Sequence, residues 1–159
     1  MTAGLFLAAA LMGAPDAPCT MQPPEPGIGR LHRSQEVIAA TIDERRGRIS
    51  ALLVDGRQVM IVAMGCEHAG MSASLWSAHG SPSSLATQWQ PAAEQLSRLA
   101  FPADIHDALT QALAKGNFRI ANTATGLAVQ LHPREALAID IEAIQLATGT
   151  LVTLTYLTG

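Results

Sequence analysis

Aromatic residues are scarce: two Trp, one Tyr and three Phe make up 4% of the 159 residues. A ladder of rings for stacking bases or sugars is therefore excluded, and the core must be built from aliphatic side chains. Charge is also sparse at 14%, but 48% of the residues are apolar, far from the polar, charge-rich composition that keeps chains unfolded. Positive charge is in deficit, with ten Lys and Arg against thirteen Asp and Glu, a net charge of −3 and no basic run. Nucleic acid, whose phosphates demand a positive field, is excluded as a partner. No apolar run reaches the roughly 18 to 20 residues that cross a bilayer as a helix, so no transmembrane span is expected. Missing too are the GxGxxG and GxxxxGK[ST] loops, the GxSxG elbow, HExxH and any CxxC. Without them there is no motif for a nucleotide fold, a serine hydrolase or a zinc protease.

What is present begins with an apolar stretch, AGLFLAAALMG at residues 3–13, followed by the Pro-rich APDAPCTMQPPEPG. That order is the order of a secretory signal and its exit, although no Lys or Arg precedes the run. The expected organisation is a signal peptide over 1–18, a Pro-rich leader over 19–30 and one domain over 31–159, in a periplasmic or secreted protein. An exported chain with two cysteines has one simple arrangement, a Cys19–Cys66 disulfide. Closing that loop is worth about 3 to 4 kcal/mol in the chain-entropy account.

The clearest local signal is RISALLVDGRQVMIVAM at residues 48–64, two β-rich runs around Asp55-Gly56. A two-residue turn there sets Leu52 opposite Val59 and Ser50 opposite Ile61, leaving both faces of the ribbon apolar and covered. MSASLWSA at 71–78 alternates as a third strand. Pro91 and Pro102 read as first helical positions, opening helices at about 91–101 and 102–115. In the second, Ile105, Leu109, Ala112 and Leu113 share a face, and Lys115-Gly116 supplies the stop. FRIAN, LAVQLH and TLVTLTYLT then read as strands. EALAIDIEAIQLA at 135–147 fits a strand by the period of Leu137, Ile139 and Ile141 and also a helix opened by Pro133 with Leu137, Ile141 and Ile144 on one face. The strand, joined to the last across Ala147-Thr148-Gly149, is preferred. ATGLAVQL and ATGTLVTL echo one another, but two short echoes do not make a repeat. The pattern predicts an α+β fold: an antiparallel sheet of about six or seven strands, with two helices inserted after the third strand and packed on the sheet.

Candidate chemistry gathers in GCEHAGMSASLWSAHG, residues 65–80. On an extended segment Cys66 and His68 project to one side, half of a metal site that needs His79, His106 or His132 to complete it. The same Cys66 with His68 as base would suit a thiol hydrolase, given an oxyanion pocket at Gly65 or Gly70. Asp140 and Glu142 share one strand face, where they read as solvated surface charges rather than a glycosidase pair. The fourth option is a recognition surface of Glu67, His68, Trp76 and His79, with the Ser-rich loop to Ser84 and Trp89 beside it. Taken alone, each tryptophan fits the core between sheet and helices. The preferred reading is a small exported, non-catalytic module without metal or cofactor that binds another protein, as an inhibitor or immunity protein against an envelope or secreted enzyme. A metal-binding or cysteine-dependent hydrolytic enzyme centred on Cys66, His68 and His79 is the alternative.

Overall fold

A computed structural model describes residues 21–66, 68–78 and 85–159. Among them the chain runs α1 (Ile28–Arg33), β1 (Val37–Asp43), β2 (Arg48–Leu53), β3 (Gln58–Met64), β4 (Ala69–Ala78), α2 (Leu85–Ala100), α3 (Ala103–Ala114), β5 (Arg119–Asn122), β6 (Gly126–Arg134), β7 (Leu137–Leu146) and β8 (Gly149–Thr158). The eight strands form one antiparallel sheet in the order β1-β2-β3-β4-β8-β7-β6-β5. Two four-stranded meanders therefore meet at β4 and β8, with α2 and α3 inserted between them in sequence.

Strands β2, β3, β4, β6, β7 and β8 bury alternate residues, so these inner six turn one face to the core, while the edge strands β1 and β5 bury none. Ile49, Ala51 and Leu53 of β2, Val59 and Ile61 of β3, and Met71, Ala73 and Leu75 of β4 are buried. They continue across the seam into Val152, Leu154 and Tyr156 of β8, then Leu137, Ile139, Ile141 and Ala143 of β7, then Leu127, Val129 and Leu131 of β6. Helix spacing supplies the opposing layer: Leu85, Trp89, Ala92, Ala93, Leu96 and Leu99 of α2, and Ile105, Leu109, Ala112 and Leu113 of α3. The few aromatic rings sit at the junctions. Trp89 meets Phe118 edge-on at 5.7 Å, and Phe101 meets Tyr156 edge-on at 4.8 Å. The seam itself is tight: a Cβ on Gly70 would fall 2.3 Å from the Tyr156 carbonyl oxygen, and one on Gly149 would fall 2.2 Å from that of Ser77. Only glycine fits either position.

Several expectations are corrected. The sheet has eight strands and the helices follow the fourth, because VIAATID forms β1 ahead of the predicted hairpin. Its period of two is hidden by a bulge at Ile38, which lets Val37 pair with Leu53 and Ala39 with Leu52. Helix α1 is a third helix, six residues long with Leu31 as its buried residue, too short to show periodicity. The 48–64 hairpin is one residue out of the expected register: Ala51 faces Val59, Ile49 faces Ile61, and Leu52 faces Gln58. Gly56 takes a positive φ but Asp55 does not. The turn closes with Gly56 N–H donating to the Leu53 carbonyl and Leu53 N–H donating to the Arg57 carbonyl. This is a three-residue loop with its glycine in the left-handed region. The slip sends Leu52, Met60 and Val62 to the side opposite Ile49 and Ile61. The ribbon is thus covered on one face, not both. Helix α2 also starts earlier than expected, at Leu85, with Pro91 exposed inside it.

The amino-terminal corner is tied to α2 by polar contacts. Glu36 accepts from Arg98 in an ion pair and from the Gln95 amide at 2.7 Å, while Arg30 donates to the Phe101 carbonyl. The Arg98 bond, then the Gln95 bond, hold the Glu36 carboxyl below its ordinary value of 4.5. Because the folded-state value lies below the unfolded one, this contribution is intact above about pH 4.5 and fades as pH falls through the folded value. Glu36→Gln is expected to cost about 0.5 kcal/mol at pH 7, the scale of a solvent-screened pair. In urea titrations the difference between variant and parent should shrink as the buffer is taken from pH 7 toward pH 3.

Candidate functional site: the open face of the sheet

The helices occupy one side of the sheet; among the described residues nothing packs on the other. The registers arrange that open side in rows across the strands. One row runs Ala39, Leu52, Gln58, Trp76, Leu151, Ile144. The next runs Thr41, Ser50, Met60, Ser74, Thr153, Glu142, and a third runs Asp43, Arg48, Val62, Ser72, Thr155, Asp140. The first two rows enclose a concavity of about 510 Å³ whose apolar wall is Ala39, Leu52, Met60, Trp76 and Leu151. Leu52 is 38% and Met60 41% exposed, and Trp76 is half-buried. Large apolar side chains left this wet next to one another mark a surface that gains free energy when covered.

Hydroxyls fill the middle of the face and largely satisfy each other. Ser74 and Thr153 share a hydrogen bond of 3.0 Å, and Thr155 donates to Ser72 at 3.0 Å. Polar groups already paired cost little more to desolvate. Charge sits at the two sides. Asp43 stands 3.8 Å from Arg46 and 4.0 Å from Arg48, one carboxylate between two guanidiniums. Asp140 and Glu142 are exposed on β7, and neither has an ion-pair partner among the described residues.

The residues singled out from the sequence are dispersed. Cys19, Glu67, His79 and the Ser-rich loop through Ser84 lie outside the described residues. His68 is exposed just before β4 and Trp76 is near its far end, eight residues on, or about 26 Å along a strand. They do not share a surface patch. Trp76 instead joins Leu52, Met60 and Leu151, which the sequence reading did not associate with it. Had the single positive-φ glycine been taken to imply a three-residue turn, the register would have placed Leu52 and Met60 on this face. Trp89 is buried against the sheet, as its core reading expects.

Cys66 forms an isolated antiparallel bridge with Met21, each N–H donating to the other's carbonyl at 3.1 Å. It holds φ at 119°, a conformation that non-glycine residues seldom adopt. His68 shares a shallow hollow with His132, Arg134 and Glu135. Among the described residues, no three His, Cys, Asp or Glu side chains converge to hold a metal. His106 lies elsewhere, against α2, with Nδ1 2.7 Å from the Ser97 hydroxyl. Ser97 is fully buried and donates its proton to the Glu94 carbonyl at 2.9 Å. The imidazole N–H is therefore the donor to Ser97. The pair joins two helices; the serine has no access to a substrate. Burial, with a smaller contribution from Asp104, raises the Tyr156 phenol above its ordinary value and keeps it neutral.

No family model matches the chain, and no similar curated protein or solved structure is found. The open face thus stands on its own geometry. Iodide quenching checks it directly: the quenchable fluorescence is expected to disappear in Trp76→Phe and to persist in Trp89→Phe, and the reverse assignment would place Trp76 in the interior.

Proposed function

We propose that the protein is a small exported, non-catalytic module that binds another protein through the open face of its sheet, acting as an inhibitor or immunity factor on an envelope or secreted enzyme. The observation that carries the binding reading is that Leu52, Met60, Trp76 and Leu151, with Gln58, Ser50 and Ser74 among them, line one concavity on a face that no other described residue covers. Aromatic and methionine side chains in a desolvatable hollow, with polar groups around them, are what protein interfaces concentrate at their centres. The export reading rests on the apolar run at residues 3–13 and the Pro-rich segment after it.

Within the same proposal, Cys19 and Cys66 form a disulfide that staples the leader to the domain. Its support is the Met21–Cys66 bridge, which brings the leader to within two residues of Cys19 at the β3–β4 corner. Pro23 also packs onto Gly65, where a Cβ would fall 2.7 Å from the Pro23 nitrogen. No free cysteine is found among the described residues.

The binding face is tested by photo-crosslinking in the cells that make the protein. A photoreactive residue at position 60 is expected to give a discrete adduct with one other protein, and the same residue at position 107, exposed on α3, to give none. Equal adducts from both positions, or none from position 60, would refute the open face as the binding surface. The staple is tested separately by titrating thiols in protein that is unfolded without reductant. No reactive thiol per chain is expected, and two would remove the disulfide.

A further inference from the structure

We infer that the partner presents a basic amphipathic α-helix to the open face, lying across the strands. The inference rests on the binding reading above and adds the chemistry of what is bound.

The first argument is backbone hydrogen bonding. On the face of a sheet, away from its edges, strand N–H and C=O groups are spent on their neighbours, so an extended peptide laid there finds no ladder to join. A helix satisfies its own backbone and needs only side-chain contact. The second argument is dimension. The row from Ala39 on β1 to Leu151 on β8, apolar except at Gln58, spans four strand intervals, or about 19 Å at about 4.8 Å each. A helix of about thirteen residues covers that length at 1.5 Å per residue. Packed on it, apolar residues at i, i+3, i+4 and i+7 would meet Leu52, Met60, Trp76 and Leu151 in turn.

The third argument is charge. On the β1 side the carboxylate of Asp43 is already engaged by both Arg46 and Arg48, which leaves a net positive charge there. The β7 side carries Asp140 and Glu142, neither in an ion pair among the described residues, with Arg119 two strands further along Asp140's row. Glu142 lies two strand intervals from β4 and in the row beside that of Trp76, about 12 Å away and hence about two helical turns. The fitting segment therefore carries Lys or Arg roughly eight residues from the side chain seated on Trp76. An acidic residue there would face the Glu142 carboxylate. The paired hydroxyls of Ser72, Ser74, Thr153 and Thr155 lie between and offer no competing charge.

Synthetic peptides test this against the full chain by titration calorimetry. The probe is an 18-residue amphipathic helix with a leucine face and two lysines at one end; its match has glutamates in place of the lysines. The lysine peptide is expected to bind, and the glutamate peptide at least about tenfold more weakly. The Asp140→Asn/Glu142→Gln double variant should lose the preference, as should raising salt to about 0.5 M, where the Debye length falls to a few ångströms. The uncharged Leu52→Gln/Met60→Gln variant should abolish binding of either peptide. Equal binding of both peptides that Leu52→Gln/Met60→Gln still abolishes would overturn the basic-helix inference and leave the open face standing. Lysine-peptide binding indifferent to that double variant would overturn the face as well. Binding of neither peptide would overturn the inference while the crosslinking result at position 60 decides the face.

Discussion

Ten residues of β4 pair with ten of β8, from Ala69 opposite Thr158 to Ala78 opposite Gly149, and the rest of the sheet depends on that seam. Each meander is local, made of neighbours in sequence. The seam alone joins them, and it brings together residues 71 to 89 positions apart. On its covered side Met71, Ala73 and Leu75 abut Tyr156, Leu154 and Val152, which form the floor under α2. On its open side the same ladder places Trp76 beside Leu151 and pairs the serines with the threonines. Core and candidate surface are two faces of one register, so a change in that register would alter both.

The division of labour between the faces explains why so few aromatic rings suffice. Three of the rings stand where helices meet sheet or loop, at Trp89, Phe101 and Phe118, with Tyr156 on the floor beneath. Trp76 is the exception. It is not needed to fill the core, yet it sits on a central strand flanked by aliphatic neighbours. A sheet with one solvated face would normally show polar residues at such positions. The departure from that alternation at Leu52, Met60, Trp76 and Leu151 is what gives this face its functional reading.

Much of the fold was legible in the sequence because alternation survives where strands are regular. The final strand, the helix of Ile105 and Leu109, and the turn at Ala147-Thr148 follow from period and punctuation, whereas Leu137, Ile141 and Ile144 of β7 fit helical spacing as well as a strand's. Strand β1 was hidden because its bulge breaks the alternation, and α1 because a single buried leucine has no period. Pro91 misled because it stands as the seventh residue of α2 and not at its first position, where proline is ordinarily best tolerated. The site was less legible than the fold. Its apolar members come from four strands, and a one-residue change in turn length decides which face receives Leu52 and Met60. Local pattern favoured the dense cluster around Cys66, His68 and Trp76, but residues crowded along a strand are spread in space by its rise.

The order of the strands also bears on how such a chain is made. While synthesis has reached only residue 148, the first meander and three strands of the second exist in sequence, but β4 and β7 each lack the neighbour that will join them, and each shows a bare edge. Such edges invite pairing with other chains, and closing a distant seam is slow. A nascent chain of this design has to be shielded until β8 emerges, and an enzyme that clipped β8 away afterwards would return it to that vulnerable, two-piece condition.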